Sequence, residues 1–180
     1  MTTASISFSE GRFWEIIENS NKGKDLASQL EPLSEEELIF FHFWWDKLHN
    51  DAYLGDLWAV AHTICNGCSD DSFIDFRSWL LTRGRAVYER AIANPDSLCD
   101  EFDLLPAGER PRWEVVAYVV HDVFEKKYSK ELHDAQKKYA FDYGPQKEIE
   151  MLWNGNDEAS IRSRCPRTYD TWRWSEKFYS

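Results

Sequence analysis

The sequence lacks the apolar runs and leader features that direct proteins into membranes. No stretch approaches the roughly 18 apolar residues that a membrane span requires, and the mean hydropathy is −0.60. The opening segment, MTTASISFSEGRFW, has neither the basic start nor the apolar centre of a secretory signal. These absences predict a soluble, cytoplasmic protein that does not bind a membrane.

Cysteine is also scarce. The four cysteines stand at positions 65, 68, 99 and 165 of 180 residues. They are too few for a disulfide scaffold, so reduced thiols are expected. Cys65 and Cys68 form the single Cys-x-x-Cys pair, with His62 three residues earlier, whereas a structural zinc site needs four nitrogen or sulfur ligands. The sequence therefore predicts neither a metal nor a cofactor.

Lysine and arginine are fewer than the acidic residues and are unevenly distributed along the chain. Residues 1–103 hold 8 Lys and Arg against 19 Asp and Glu, whereas residues 104–180 hold 13 of each, so the net charge of −11 falls in the first part. A protein that binds a phosphate backbone needs the opposite sign, and we expect no nucleic-acid partner. A basic protein partner would complement this surface, although acidity also serves solubility alone.

Recognisable catalytic signatures are absent too. The sequence contains no Gly-x-Ser-x-Gly elbow, no P-loop and no dinucleotide-binding fingerprint. Catalytic residues therefore cannot be assigned, and it stays open whether the protein is an enzyme.

Aromatic residues and helical periodicity are abundant. Aromatics make up 16% of the chain, enough for a large buried core, and apolar residues recur at the period of amphipathic helices. Capping sequences, Gly and Pro divide this pattern into about seven helices, and no segment alternates with the period of a strand. The predicted helices cover approximately residues 8–19, 24–30, 38–53, 56–65, 70–83, 87–93 and 113–128.

This pattern predicts one all-α domain over residues 1–180, with a helical core at 1–128. Residues 129–180 are expected to form a mostly irregular extension that packs back on the core, with short helical turns at 149–153 and 157–164. Its end is rich in aromatic residues, which suit that packing: Tyr169, Trp172, Trp174, Phe178 and Tyr179.

The strongest candidate site is a polar elbow between the fourth and fifth predicted helices, Asn66-Gly67-Cys68-Ser69-Asp70-Asp71. Asn66 and Gly67 supply a helix stop, and Ser69 supplies the next N-cap. Asp70 and Asp71 then complement the helix dipole. Two adjacent carboxylates also suit acid–base chemistry or a divalent cation, and that alternative remains beside the capping role.

Three arginines follow the elbow, namely Arg77, Arg83 and Arg85. Arg77 lies partly within the apolar stripe of its helix, and a buried arginine needs a partner. We expect an Asp–Arg network in which Asp56, Asp70 or Asp71 pairs with Arg77. The alternative is an anion or nucleotide pocket in which Arg83 and Arg85, together with the helix N-terminus, bind phosphate. The candidate binding residues are Asp70, Asp71, Arg77, Arg83, Arg85 and Trp58.

The elbow and its surroundings resemble the bacterial domain-of-unknown-function family 4240. The residues that carry the resemblance are Asp56-Leu57-Trp58, Asn66 to Asp71, Phe73, Phe76-Arg77, Trp79-Leu80, Gly84-Arg85, Val87-Tyr88 and Pro95-Asp96-Ser97-Leu98. Phe13-Trp14 and Ile17 look like that family's opening helix, whereas Cys65 is no part of its pattern. The resemblance implies a helical domain and brings no activity, cofactor or catalytic residue.

Two functions remain open. The first is a protein-binding module of the immunity or regulator type, because the N-terminal part is acidic and the helix at 38–53 is rich in aromatics. The second is a small enzyme or a nucleotide- or phosphate-binding domain that uses the Asp70-Asp71, Arg77, Arg83 and Arg85 cluster.

Overall fold

The protein is all-helical in the computed structural model, which describes residues 8–145 and 148–179. This part of the chain contains twelve α-helices, two 3₁₀ turns (Pro95–Leu98 and Val115–Tyr118) and no strand. The helices are α1 (Glu10–Asn19), α2 (Leu26–Leu30), α3 (Glu35–Asp51), α4 (Gly55–Cys65), α5 (Asp70–Leu81), α6 (Arg85–Ala93), α7 (Cys99–Asp103), α8 (Val119–Tyr128), α9 (Leu132–Gln136), α10 (Glu158–Arg164), α11 (Pro166–Trp172) and α12 (Glu176–Tyr179).

No helix among the described residues is both long and apolar enough to pass through a bilayer.

Hydroxyl side chains fix the start of the long helices. Ser9 caps α1 and Ser69 caps α5, each accepting from a backbone N–H three residues on. Ser34 and Glu37 form a reciprocal capping box at α3. Each such side chain satisfies a helix N–H that would otherwise lack a partner, which explains why these boundaries follow from local sequence.

Helix α4 lies at the centre of the fold. Seven of its eleven residues are buried, and none is fully exposed. It contacts α5, α10, α11 and the 3₁₀ turn at Pro95–Leu98. Its sequence is apolar nearly all round, which suits this buried position. Much of its cover comes from the C-terminal part of the chain.

The described part of the chain holds twelve helices rather than the predicted number of about seven. The five additional helices, α7 and α9–α12, are four to seven residues long. Helices this short carry too few apolar positions to show a period and are not stable alone. α10 coincides with the short helical turn predicted at 157–164, whereas the turn predicted at 149–153 is wrong, since those residues are not helical. Tertiary contacts form the other short helices, and a periodicity argument does not detect them.

Aromatic contacts hold the segment after α9 on helix α3. Tyr139 and Phe141 pack edge-on against Phe40, and Phe141 stacks on Phe43 at 4.5 Å. The aromatic surface of α3 is therefore covered by the chain's own later residues.

Asp96 attaches α11 to the rest of the domain. Its carboxylate accepts from the backbone N–H groups of Arg167 (2.9 Å) and Thr168 (2.8 Å) and so caps a helix 71 residues further on. Arg164 reinforces the attachment by donating two bonds of 2.6 Å to Asp56 in α4. Trp172 donates to the Cys99 carbonyl at 2.9 Å.

We predict that Asp96→Ala lowers the free energy of unfolding by about 1–3 kcal/mol, because two helix N–H groups lose a charged acceptor. Asp100→Ala is the matched control, since Asp100 pairs with the side chain of the same Arg167 at the surface and should contribute less than about 0.5 kcal/mol. Urea unfolding measures both, and equal losses would contradict a capping role for Asp96.

Candidate functional site

The elbow forms as predicted around Asn66 and Ser69. Asn66 adopts a left-handed conformation (φ 53°) that ends α4, and the Gly67 N–H donates to the His62 carbonyl at 2.9 Å. Asp70 and Asp71 lie exposed in the first turn of α5. Within the described residues neither forms an ion pair, so the geometry supports their capping role.

The side chain of Trp58 contacts both the elbow and α5. Its indole N–H donates to the Cys68 carbonyl at 2.9 Å, and its ring stacks on Phe73 at 4.8 Å. The side chain therefore joins α4 to α5 and is half-buried between them.

The predicted Asp–Arg network is wrong. Arg77 is only 7% exposed, and in the described part of the chain it pairs with no carboxylate. Its guanidinium instead donates to the His49 carbonyl at 2.9 Å and lies over the rings of Tyr53 and Phe73, at 4.9 and 5.0 Å.

Helix geometry explains how Arg77 is stabilised without a carboxylate. His49 lies in the last turn of α3, where carbonyl groups lack helical partners and the dipole favours a cation. Ring faces add further attraction for the guanidinium. The expected partner Asp56 is already paired with Arg164.

The structure also separates Arg85 from the other candidates. Arg85 is exposed at the start of α6 and pairs with Glu89 at 2.7 Å. This carboxylate raises the Arg85 pKa, mainly through its hydrogen bond. Arg83, by contrast, lines a cavity.

Arg83 stands in a cleft of about 500 Å³, within the size range of ligand pockets. Three parts of the chain form the cleft: the turn between α1 and α2, the end of α5, and the loop at 104–113. The lining residues are Lys22, Lys24, Trp79, Arg83, Leu104, Leu105, Pro106, Glu109, Arg110, Arg112 and Trp113.

The cleft is strongly basic in an acidic protein. Five of its lining residues are cationic and one, Glu109, is acidic. Among the described residues, Lys22, Lys24, Arg83 and Arg112 form no ion pair with a carboxylate. Their charge is therefore available to a ligand.

Arg83 is held in place by neutral groups. It donates to Thr82 Oγ1 at 2.8 Å and to the Lys22 carbonyl at 3.1 Å, and it lies over the ring of Trp79 at 5.1 Å. Burial lowers its pKa to about 10, against the opposing effect of Glu101 and Glu109. The guanidinium thus remains charged at neutral pH in a position partly shielded from water.

Trp79 adds an unused donor to the cleft wall. It is 3% exposed, and its indole N–H has no acceptor among the described residues. A buried donor without a partner costs about 1–3 kcal/mol.

A strained turn brings Lys22 to the cleft. Asn21, Lys22 and Gly23 all have positive φ, at 52°, 56° and 88°. Such conformations cost non-glycine residues free energy and concentrate at functional sites. A Cβ at Gly23 would lie 2.8 Å from Thr82 Cγ2 and 3.1 Å from Trp113 Cζ3, so glycine permits the close approach of this turn to the cleft wall.

Comparison with known proteins places the chain in a family. The family model described as "Protein of unknown function (DUF4240)" matches residues 8–126, more than half of the chain. The chain belongs to the DUF4240 family. All the residues that line the cleft fall inside the matched range.

Two other comparisons return nothing for this DUF4240 protein. No curated protein and no solved structure matches the chain.

Sequence reasoning missed most of the DUF4240 cleft. It included Arg83 and omitted Lys22, Lys24, Arg112 and Trp113. One signal was present in Arg110-Pro111-Arg112-Trp113, a basic and aromatic cluster in an otherwise acidic chain. The two lysines could not be found this way, since they join the cleft only through the fold of the α1–α2 turn.

The cysteines of the DUF4240 elbow are unsuited to thiolate chemistry. Burial raises the pKa of Cys65 to about 11 and that of Cys68 to about 12, so both thiols stay protonated at neutral pH.

Histidines and carboxylates do not complete a metal site either. In residues 8–145 and 148–179, no three His, Cys, Asp or Glu side chains are grouped so that they could hold a metal ion.

We predict that Gly23→Ala lowers the free energy of unfolding by about 2–4 kcal/mol, because a positive φ and a steric clash act together. Gly108→Ala is the matched control: its φ is 81° and its added Cβ would meet nothing within 4 Å, so only the conformational cost of about 1 kcal/mol applies. Urea unfolding compares them. Similar losses would refute the close packing of the turn.

We also predict that His49→Gln reduces the loss of stability in acid. Burial, with help from Arg77, lowers the pKa of His49 to about 4. Between pH 6.5 and pH 4, His49 binds a proton in the unfolded chain but stays neutral in the folded protein. The folded state therefore loses stability as the pH falls from 6.5 toward 4.

The difference in the free energy of unfolding between wild type and His49→Gln should change by about 1–2 kcal/mol between pH 7 and pH 5. Glutamine retains an N–H for the Ile74 carbonyl, which His49 contacts at 3.1 Å. Urea titrations at several pH values measure the difference, and parallel pH profiles would contradict the prediction.

Proposed function

We propose that this DUF4240 protein is a binding domain whose basic cleft around Arg83 takes up an anionic group of its ligand, either phosphate or carboxylate. One observation carries the proposal: four cationic side chains that form no ion pair with any described carboxylate line one cleft of a protein with net charge −11. Like charges held together in this way repel one another, and a bound anion relieves that repulsion.

The environment of Arg83 favours tight anion binding. Its guanidinium is half-buried and anchored by Thr82 and the Lys22 carbonyl. Electrostatic attraction strengthens where water is partly excluded, and a guanidinium can donate two parallel bonds to a carboxylate or phosphate. Pre-placement by neutral groups reduces the entropy that binding would otherwise cost.

This proposal changes the phosphate-site hypothesis derived from the sequence. Arg83 is the one member of that cluster that it keeps, and Lys22, Lys24 and Arg112 replace the others. The basic protein partner expected for the acidic N-terminal part stays a prediction.

We predict that the wild-type protein binds inorganic pyrophosphate and citrate at low salt, and that Arg83→Gln weakens both by at least about tenfold, the loss expected for one charged hydrogen bond. Arg85→Gln is the matched control because Arg85 is exposed, lies outside the cleft and is paired with Glu89. It should leave both dissociation constants within about twofold. Isothermal titration calorimetry measures the constants.

Lys24→Gln keeps the test valid if Arg83→Gln does not fold, since Lys24 is exposed. It should weaken binding about threefold or more and leave thermal stability unchanged. Equal effects of Arg83→Gln and Arg85→Gln would show that only the overall charge attracts anions, and the proposal would then fail. Absence of binding at millimolar concentrations would also refute it.

A further inference from the structure

Exposed apolar side chains occur in the cleft's loop and in the turn that follows it in sequence. Leu104, one of the lining residues, is 63% exposed. Val115 and Tyr118 are 65% and 58% exposed in the 3₁₀ turn that follows Trp113. Side chains three residues apart eclipse one another in a 3₁₀ helix, so Val115 and Tyr118 share one face. We call Leu104, Val115 and Tyr118 the apolar rim.

Basic cleft and apolar rim together suit a ligand with both anionic and apolar groups. Three large apolar side chains of such exposure cost solubility, and apolar surface rimmed by polar groups is typical of an interaction site. The cations come from three chain segments. A ligand chain with several carboxylates offers a separate acceptor to each segment.

The cleft offers little to a nucleotide base. The ring of Trp79 is buried, with Arg83 over it and Phe102 stacked against it at 5.8 Å. The ring edge of Trp113 packs against Gly23. A base therefore lacks the open aromatic face of Trp79 on which to stack, whereas leucine-sized side chains can contact the apolar rim.

We infer that the ligand is an acidic peptide segment of a partner protein, in which Asp or Glu residues bind Lys22, Lys24, Arg83 and Arg112 while interspersed apolar residues contact Leu104, Val115 and Tyr118. This inference rests on the proposed function, since it assigns the anionic groups of that ligand to carboxylate side chains. Charge complementarity provides steering toward the cleft, and the apolar contacts provide affinity.

Two matched peptides test the inference. One contains five Glu and two Leu, and the other has Ser in place of both Leu. Fluorescence anisotropy with labelled peptides should give about tenfold tighter binding for the Leu peptide, the effect of losing a well-placed apolar contact. Arg83→Gln should weaken both peptides.

Tyr118→Ser separates the apolar rim from the basic cleft. It should weaken the Leu peptide at least about fivefold and leave pyrophosphate binding unchanged. Leu152→Ser is the matched control because Leu152 is also exposed (55%) and does not line the cleft. It should alter neither constant.

The outcomes distinguish this inference from the proposed function. If the Ser peptide binds as tightly as the Leu peptide, or ATP binds tighter than either, the peptide assignment fails while anion binding stands. If pyrophosphate, citrate and both peptides all fail to bind, both proposals fail.

Discussion

The apolar surface of α4 has to be covered by the other elements of the fold. A helix that is apolar all round cannot lie on the surface, so other elements must cover each of its faces. α5 covers part of it, and α10 and α11 cover another part. The position of α11 therefore depends on its attachment to the domain as much as on its own sequence. Asp96 caps α11, and Arg164 pairs the neighbouring helix α10 with α4. A short helix with little intrinsic stability is thus made part of the core.

Arg77, which is buried, and Arg83, which is half-buried, are stabilised in similar ways. Arg77 and Arg83 both rely on backbone carbonyls and aromatic faces, while nearby carboxylates such as Asp70 and Asp71 stay in solvent. The two differ in what surrounds them. Arg77 is enclosed between α3 and α5, so it stabilises packing, whereas Arg83 faces a cleft that holds further cations. The same side chain is structural in one place and available to a ligand in the other.

The cleft depends on elements that are individually weak. Its walls are a turn with three successive positive φ values, the last turn of α5 and a loop rich in proline and glycine. The loop is held to α5 by the Trp113 N–H, which donates to the Asp75 carbonyl, and by Arg112, which donates to Ser72. Such short contacts position the cationic side chains, and the rigid helices behind them keep the walls apart.

The all-α class, the long helices and the capped elbow are predictable from the amino-acid sequence. These features follow from local rules: apolar periodicity within one helix and hydroxyl caps within three residues, as at Ser34 and Ser69. Most of the short helices, the partners of Arg77 and the membership of the basic cleft are not predictable in this way. Each of these depends on groups far apart in the chain, such as Lys22 with Arg83 and Asp96 with Thr168. The physical reason is that a charged side chain is stabilised by whatever lies next to it in space, and carbonyls and ring faces leave no sequence signature.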